Sequence, residues 1–95
     1  MSDDPQVARR TVEIVNRLGL HARAATLFVQ AANAFSSSVA VVKDGETVDG
    51  KSIIGLLMLA AGQGSTIDIE AKGADAAQAL EALAQLVKNR FDEPS

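Results

Sequence analysis

The sequence predicts an α+β fold: an open-faced β-sandwich, a four-stranded antiparallel sheet with three helices on one face. Two patterns predict it. Four short stretches are rich in β-branched residues or alternate apolar with polar, and three carry apolar residues at helical spacing. In chain order they read β-α-β-β-α-β-α. Strands with a polar outer face, and helices enough to cover the inner one, give that architecture. A chain of 95 residues is one domain's worth, and 47% hydrophobic residues supply one modest core. The domain is expected over residues 9–91, between a flexible tail at 1–8 and a short tail at 92–95.

The first strand is expected at Arg10 to Asn16, where Val12 and Ile14 alternate with Thr11 and Glu13. A short loop with Gly19 follows. From Ala22 the period changes: Ala25, Phe28, Ala32 and Phe35 fall at helical spacing, and the helix is expected to end near Ala34 or Phe35. Val39 to Lys43 is a second strand. Asp44-Gly45 is a turn signal, and Glu46 to Asp49 a short third strand, so the two make a hairpin.

Ser52 is a plausible N-cap for a short helix, Ile53 to Leu59. Gln63-Gly64 ends that segment. Thr66 to Ala71 alternates, with Ile67, Ile69 and Ala71 on one side and Asp68 and Glu70 on the other. In the last helix Ala76, Leu80, Leu83 and Val87 form a buried stripe. Asp75 at its start and Lys88 and Arg90 at its end complement the helix dipole. Phe91 onward reads as a tail.

Composition excludes several classes. There is no Cys, so no disulfide and no thiolate metal site. A net charge of −3 argues against a nucleic-acid binder, which normally shows a basic face. The polar, acidic N-terminus is unlike a signal peptide, and the longest run of apolar residues and Gly, 53–62, is short of the roughly 20 residues that span a membrane. A cytoplasmic protein is the expectation. No metal or cofactor site is expected either.

The stretch Asn16-Arg17-Leu18-Gly19-Leu20-His21-Ala22-Arg23 carries the most chemistry. His21 is the only histidine, and it falls where the helix begins. A helix start presents unpaired amides and partial positive charge, which suit an anion such as phosphate. A lone histidine is often an incidental cap. Here the dipole disfavours an imidazolium, so a neutral ring nitrogen is available to attack phosphorus. The first-turn amides of Ala22, Arg23 and Ala24, and the Arg23 guanidinium, would then meet the transferred group.

Residues 45–52 satisfy the P-loop expression G-x-x-x-x-G-K-[ST]. That nucleotide-binding reading is rejected. Two acids and two β-branched residues fill the variable positions, which suits a strand better than a cradle of amides, and the carboxylates would repel phosphates. The helix 53–59 is apolar on nearly every face, more than a helix on an open sheet can bury. Part of it is expected to be exposed as a docking surface.

Two motifs and the element order resemble one family. Asn16-x-x-Gly19-Leu20-His21-Ala22-Arg23 resembles the active-site sequence of HPr, the histidine-containing phosphocarrier of the bacterial phosphotransferase system. Lys51-Ser52-Ile53-Ile54-Gly55 looks like its second signature, a regulatory serine at the start of the short helix. The resemblance covers roughly residues 9–91. It implies a phosphoryl carrier with no turnover of its own. His21 would take the group from phosphorylated enzyme I, with Arg23 assisting, and pass it to a histidine of an IIA protein, for sugar uptake or nitrogen-related regulation.

Ser52 matches the position that a dedicated kinase modifies in some members, so a Ser52-regulated binding module is the alternative. The implied docking face joins Leu20, Thr26 and Leu27 to Ile53, Ile54 and Leu57, on a monomer. Phe91-Asp92-Glu93 and the run 55–59 lean towards the nitrogen branch. One departure stands out: the family usually has proline after the arginine, and this chain has Ala24.

Overall fold

A computed structural model describes residues 7–94. Its elements are β1 (Val7–Glu13), α1 (Ala22–Ala32), β2 (Ser38–Lys43), β3 (Glu46–Asp49), α2 (Ile53–Met58), β4 (Thr66–Lys72) and α3 (Ala76–Lys88), followed by a 3-10 turn at Arg90–Asp92. The strands form one sheet in the order β1-β4-β2-β3, every pair antiparallel. The open-faced sandwich expected from the sequence is the fold observed.

Alternation decides which side is covered. Ile67, Ile69 and Ala71 of β4 are buried, together with Val39 and Val41 of β2. Ile67, Ile69, Val39 and Val41 meet Phe28 and Ala25 of α1, Leu56 of α2, and Leu80, Leu83 and Val87 of α3 in one core, while Ala71 packs in a smaller cluster with Ala76 and Ala79 of α3. The opposite face stays polar. There Thr11 donates to Asp68, and Arg9 pairs with Glu70, cross-strand neighbours in the β1–β4 register. Asp44 and Gly45 both take positive φ, 52° and 82°, which makes the tight connection between β2 and β3.

Three boundaries differ from expectation, each for a physical reason. β1 runs from Val7 to Glu13, not 10–16, because its partner β4 begins at Thr66, opposite Glu13. Beyond that point only Ile14 still pairs, its amide donating to the Ser65 carbonyl and its carbonyl accepting from the Gly64 amide, before the chain turns away. Val7 and Ala8 of the expected N-terminal tail are therefore strand, and residues 1–6 of it lie outside the described residues. α1 stops at Ala32, and Asn33 to Phe35 turn back towards β2. The third correction concerns the C-terminus. Arg90, Phe91 and Asp92 all adopt left-handed φ, 59°, 52° and 62°. This reverses the chain and drops Phe91 into the core, 1% exposed. Burying a Phe side chain stabilises by about 2–3 kcal/mol, enough to offset that backbone strain in part.

Asp75 does not do what its place at a helix start suggests. Its carboxylate makes no cap hydrogen bond to α3. It accepts instead from the backbone amides of Ser36 and Ser37, both at 2.9 Å, and from the Ser37 hydroxyl. The α1–β2 connection is tied to α3 in this way, and the buried Ser37 hydroxyl finds its partner.

Candidate functional site

The site is built on the loop between β1 and α1. Gly19 has φ +69° and its backbone lies so close to Ala61 that a Cβ would sit 2.6 Å from the Ala61 carbonyl oxygen. The Leu20 amide donates to that same carbonyl at 2.8 Å. The Asn16 side chain is fully buried and its Nδ2 donates to the Gly19 carbonyl at 2.8 Å. Loop and 61–62 segment are thus pinned together immediately before the histidine.

His21 is the N-cap residue of α1, with extended backbone (φ −80°, ψ −178°) and no side-chain cap bond. Its ring is free to face outward. The first amide of α1 with a backbone acceptor outside the helix ladder is that of Ala25, which donates to the His21 carbonyl at 2.8 Å. The amides of Ala22, Arg23 and Ala24 lie ahead of it, as unpaired first-turn amides do. Ala22 and Arg23 are exposed, but Ala24 is 0% exposed.

The ring has a partner that the sequence reading did not identify. His21 Nε2 hydrogen-bonds the Glu93 carboxylate, whose other oxygen accepts from Asn16 Nδ2 at 3.0 Å. Burial opposes ionisation of Glu93. The hydrogen bonds from His21 and Asn16, and the charges of His21 and Arg23, outweigh it and hold the carboxyl below its usual range. His21, Glu93, Arg23, Arg17, Leu18 and Pro94 line one shallow, open depression. Residues 92–95, read from sequence as a tail, therefore contribute a side chain to the site.

Ser52 caps α2 as predicted: its Oγ accepts from the Gly55 amide at 3.0 Å. Residues 45–52 form the hairpin turn, strand β3 and the connection to α2, with Glu46 to Asp49 paired to β2. That is a ladder, not a phosphate cradle. The apolar patch expected on α2 exists: Ile54 and Met58 are 72% and 67% exposed, Ile53 and Leu57 38% each, while Leu56 is the side that is buried.

Thr26 and Leu27 are half-buried on α1. The Thr26 hydroxyl donates to the Ala22 carbonyl at 2.8 Å. Leu20 does not belong to the docking surface. It is 5% exposed, turned into the core by the Gly19 bend, and Leu18 beside it is exposed in its place. Leu18 and Glu93 line the same depression as His21 and were not among the site residues the sequence suggested. An apolar residue in the loop just before His21 was the available signal for the first. For Glu93 the trio 91–93 had been noted, but only as a branch marker.

A small sandwich that offers a histidine at a helix N-terminus, in a shallow depression open to solvent, has the form of a carrier that presents one reactive side chain to other molecules. The comparisons give that class its family. A family model described as the PTS HPr component phosphorylation site matches residues 8–89. Phosphocarrier protein HPr of Neisseria meningitidis is 49% identical over 85 residues, covering 90% of this chain and 96% of that protein. Phosphocarrier protein NPr of Shewanella violacea is 45% identical over 86 residues, covering 90% and 94%. The crystal structure of HPr-C-His from Thermoanaerobacter tengcongensis matches with a TM-score of 0.89 at 43% identity, over 93% of this chain and 99% of that one. The chain belongs to the HPr family of phosphocarrier proteins of the phosphotransferase system.

Proposed function

We infer that this chain accepts a phosphoryl group on His21 from phosphorylated enzyme I and passes it to a histidine of an IIA protein. The observation that carries this reading is the placement of the His21 ring: at the N-terminus of α1, 27% exposed, beside Arg23. A ring nitrogen forms the new bond to phosphorus while the bond from phosphorus to its donor breaks, and that electron pair leaves with the donor. Charge on the equatorial oxygens grows no further from support than the Ala22 and Arg23 amides and the Arg23 guanidinium. Onward transfer reverses the same step, so the ring needs access from outside and no cleft of its own.

The docking face supports the reading. Leu18, Ile53, Ile54, Leu57 and Met58 are large apolar side chains left in water, which suits transient apolar contact with two successive partners. The protein acts as a cytoplasmic monomer in this reading; among the described residues no helix is long and apolar enough to cross a membrane. Incubation with phosphoenolpyruvate, enzyme I and IIA proteins of the sugar and nitrogen branches tests it. Label is expected to reach an IIA protein only when this chain is present. Label that reaches every IIA protein without it, or never reaches one with it, defeats the reading.

A second reading rests on Ser52. Its oxygen already sits at the start of α2, next to Ile53 and Ile54. A phosphate there adds charge favourable to the helix end and hostile to apolar docking. Ser52→Asp is expected to slow transfer from enzyme I; equal rates for variant and wild type rule the regulatory role out.

A further inference from the structure

β1 is an edge of the sheet, and the carrier reading makes no use of that edge. Its backbone orientation follows from Ile14. The Ile14 amide donates to the Ser65 carbonyl and its carbonyl accepts from the Gly64 amide, so both groups face the β4 side. Strand geometry alternates this direction residue by residue. Arg10 and Val12 therefore bond to β4, opposite Ile69 and Ile67. The N–H and C=O groups of Arg9, Thr11 and Glu13 point away from the sheet, and among the described residues no strand lies beyond them. A free row of this kind is a template for another strand. The far edge suits that less: β3 has four residues, with acids at both ends, Glu46 and Asp49.

The same edge borders a groove of about 500 Å³ between β1 and α3. Val12, Val15, Ala84 and Val87 give it an apolar floor. Glu81 is neutralised by Arg10, whose Nη2 lies 3.1 Å from Oε2. Glu13, next to Val12, turns its side chain to the opposite face with Thr11 and Arg9. Lys88 and Arg90, both exposed, line the groove too, and among the described residues neither is in an ion pair. The groove therefore carries unpaired positive charge on a chain of net charge −3. Two full charges exceed the partial negative charge at the α3 C-terminus. The groove shares no lining residue with the His21 depression.

We propose that the β1 edge and this groove form a second interaction site, which takes an extended acidic peptide segment of another protein as an added strand. Backbone bonds to Arg9, Thr11 and Glu13 supply the binding, and side chains at alternate positions supply the selectivity. An apolar side chain opposite Val12 rests on Val12 and Ala84. An acidic one two residues on, opposite Ile14, faces Lys88 and Arg90. Charged residues on an edge ordinarily deter pairing. Here Arg9 is held by Glu70 on the outer face and Arg10 by Glu81 of α3, so the row itself stays open. The site stands or falls independently of the carrier reading.

The probe is a capped heptapeptide in which Thr alternates with Val, Glu and Val, a pattern that reads alike in both chain directions. It is titrated into the isotope-labelled full chain. At saturating peptide, amide hydrogen exchange at Arg9, Thr11 and Glu13 is expected to slow at least about tenfold, with no change at Ala22 or Arg23. Joint replacement Lys88→Gln and Arg90→Gln is expected to weaken binding about fivefold, and to leave unchanged the binding of a peptide with Gln in place of Glu. A peptide N-methylated at every amide cannot pair with a strand edge and is expected not to bind. No binding of the parent peptide overturns the proposal. Equal binding of the N-methylated peptide does so too, since the contact is then one of side chains alone. Equal affinity for the doubly substituted protein removes the acidic selectivity and overturns it as well. Edge amides that already exchange slowly in the free, dilute protein show the edge covered by the chain itself. Protection that grows with protein concentration puts a second copy there. Either result also overturns the proposal.

Discussion

Replacing Gly19 by Ala puts the loop that carries His21 under direct test. Two costs add. A residue with a Cβ at φ +69° pays about 1–2 kcal/mol for the left-handed conformation. The Cβ also meets the Ala61 carbonyl oxygen at 2.6 Å and the Gly62 Cα at 2.9 Å, both backbone atoms that cannot swing aside. Forcing such an overlap costs a further ~1–3 kcal/mol. The sum is about 2–5 kcal/mol.

Gly45 is the control. It too has positive φ, +82°, but a Cβ there meets nothing within 4 Å, so Gly45→Ala costs about 1–2 kcal/mol. For a domain of this size 1 kcal/mol lowers Tm by about 4–8 °C. Thermal unfolding followed by circular dichroism is therefore expected to place Gly19→Ala at least about 5 °C below Gly45→Ala. The Leu20–Ala61 hydrogen bond must also lengthen, so Gly19→Ala is expected to transfer phosphate more slowly and Gly45→Ala at the wild-type rate. Equal melting temperatures for the two variants would refute the claim that close backbone approach shapes this loop.

Four further outcomes are expected. Phe91→Ala removes a fully buried ring and lowers stability by about 3–5 kcal/mol in urea unfolding. Ser52→Ala loses the bond from the Gly55 amide and lowers stability by about 1 kcal/mol by the same measurement. Hydrogen bonds from the Ser37 hydroxyl and the Ser36 amide bring the Asp75 carboxyl from 3.8 to about 2. A depressed folded value stabilises above the unfolded one, so this contribution is present above pH 4 or so and lost as pH falls towards about 2; Asp75→Asn is expected to flatten stability against pH in that window. Ala24→Pro removes the third first-turn amide and is expected to slow transfer and shorten the phosphohistidine lifetime; unchanged values would leave that amide without a role.

Local pattern carried most of the fold. β4 could be read face by face because alternation is a property of one strand against one core, and the Asp44-Gly45 turn and the Ser52 cap are equally local. β1 was misplaced by three residues because its ends are set by where β4 begins, which is not a property of residues 7–16. The same limit applied at the site. The His21 junction was legible, since periodicity changes there. Leu20 was assigned to the surface because nothing in its neighbours reveals the bend at Gly19 against Ala61. Glu93 was out of reach of periodicity altogether: its place beside His21 depends on Phe91 finding the core and on three left-handed residues turning the chain. Asp75 shows the same effect, a residue type suited to capping that is used to tie two connections together.

The account's central claim is that His21 is a phosphoryl-accepting nucleophile held at a helix start. Treating the protein with enzyme I and phosphoenolpyruvate, then locating the phosphate, tests it most directly. The account predicts one acid-labile, base-stable phosphate on His21 in wild type and none in His21→Ala. Phosphate that persists in His21→Ala, or a wild-type protein left unmodified by every enzyme I tried, would contradict it.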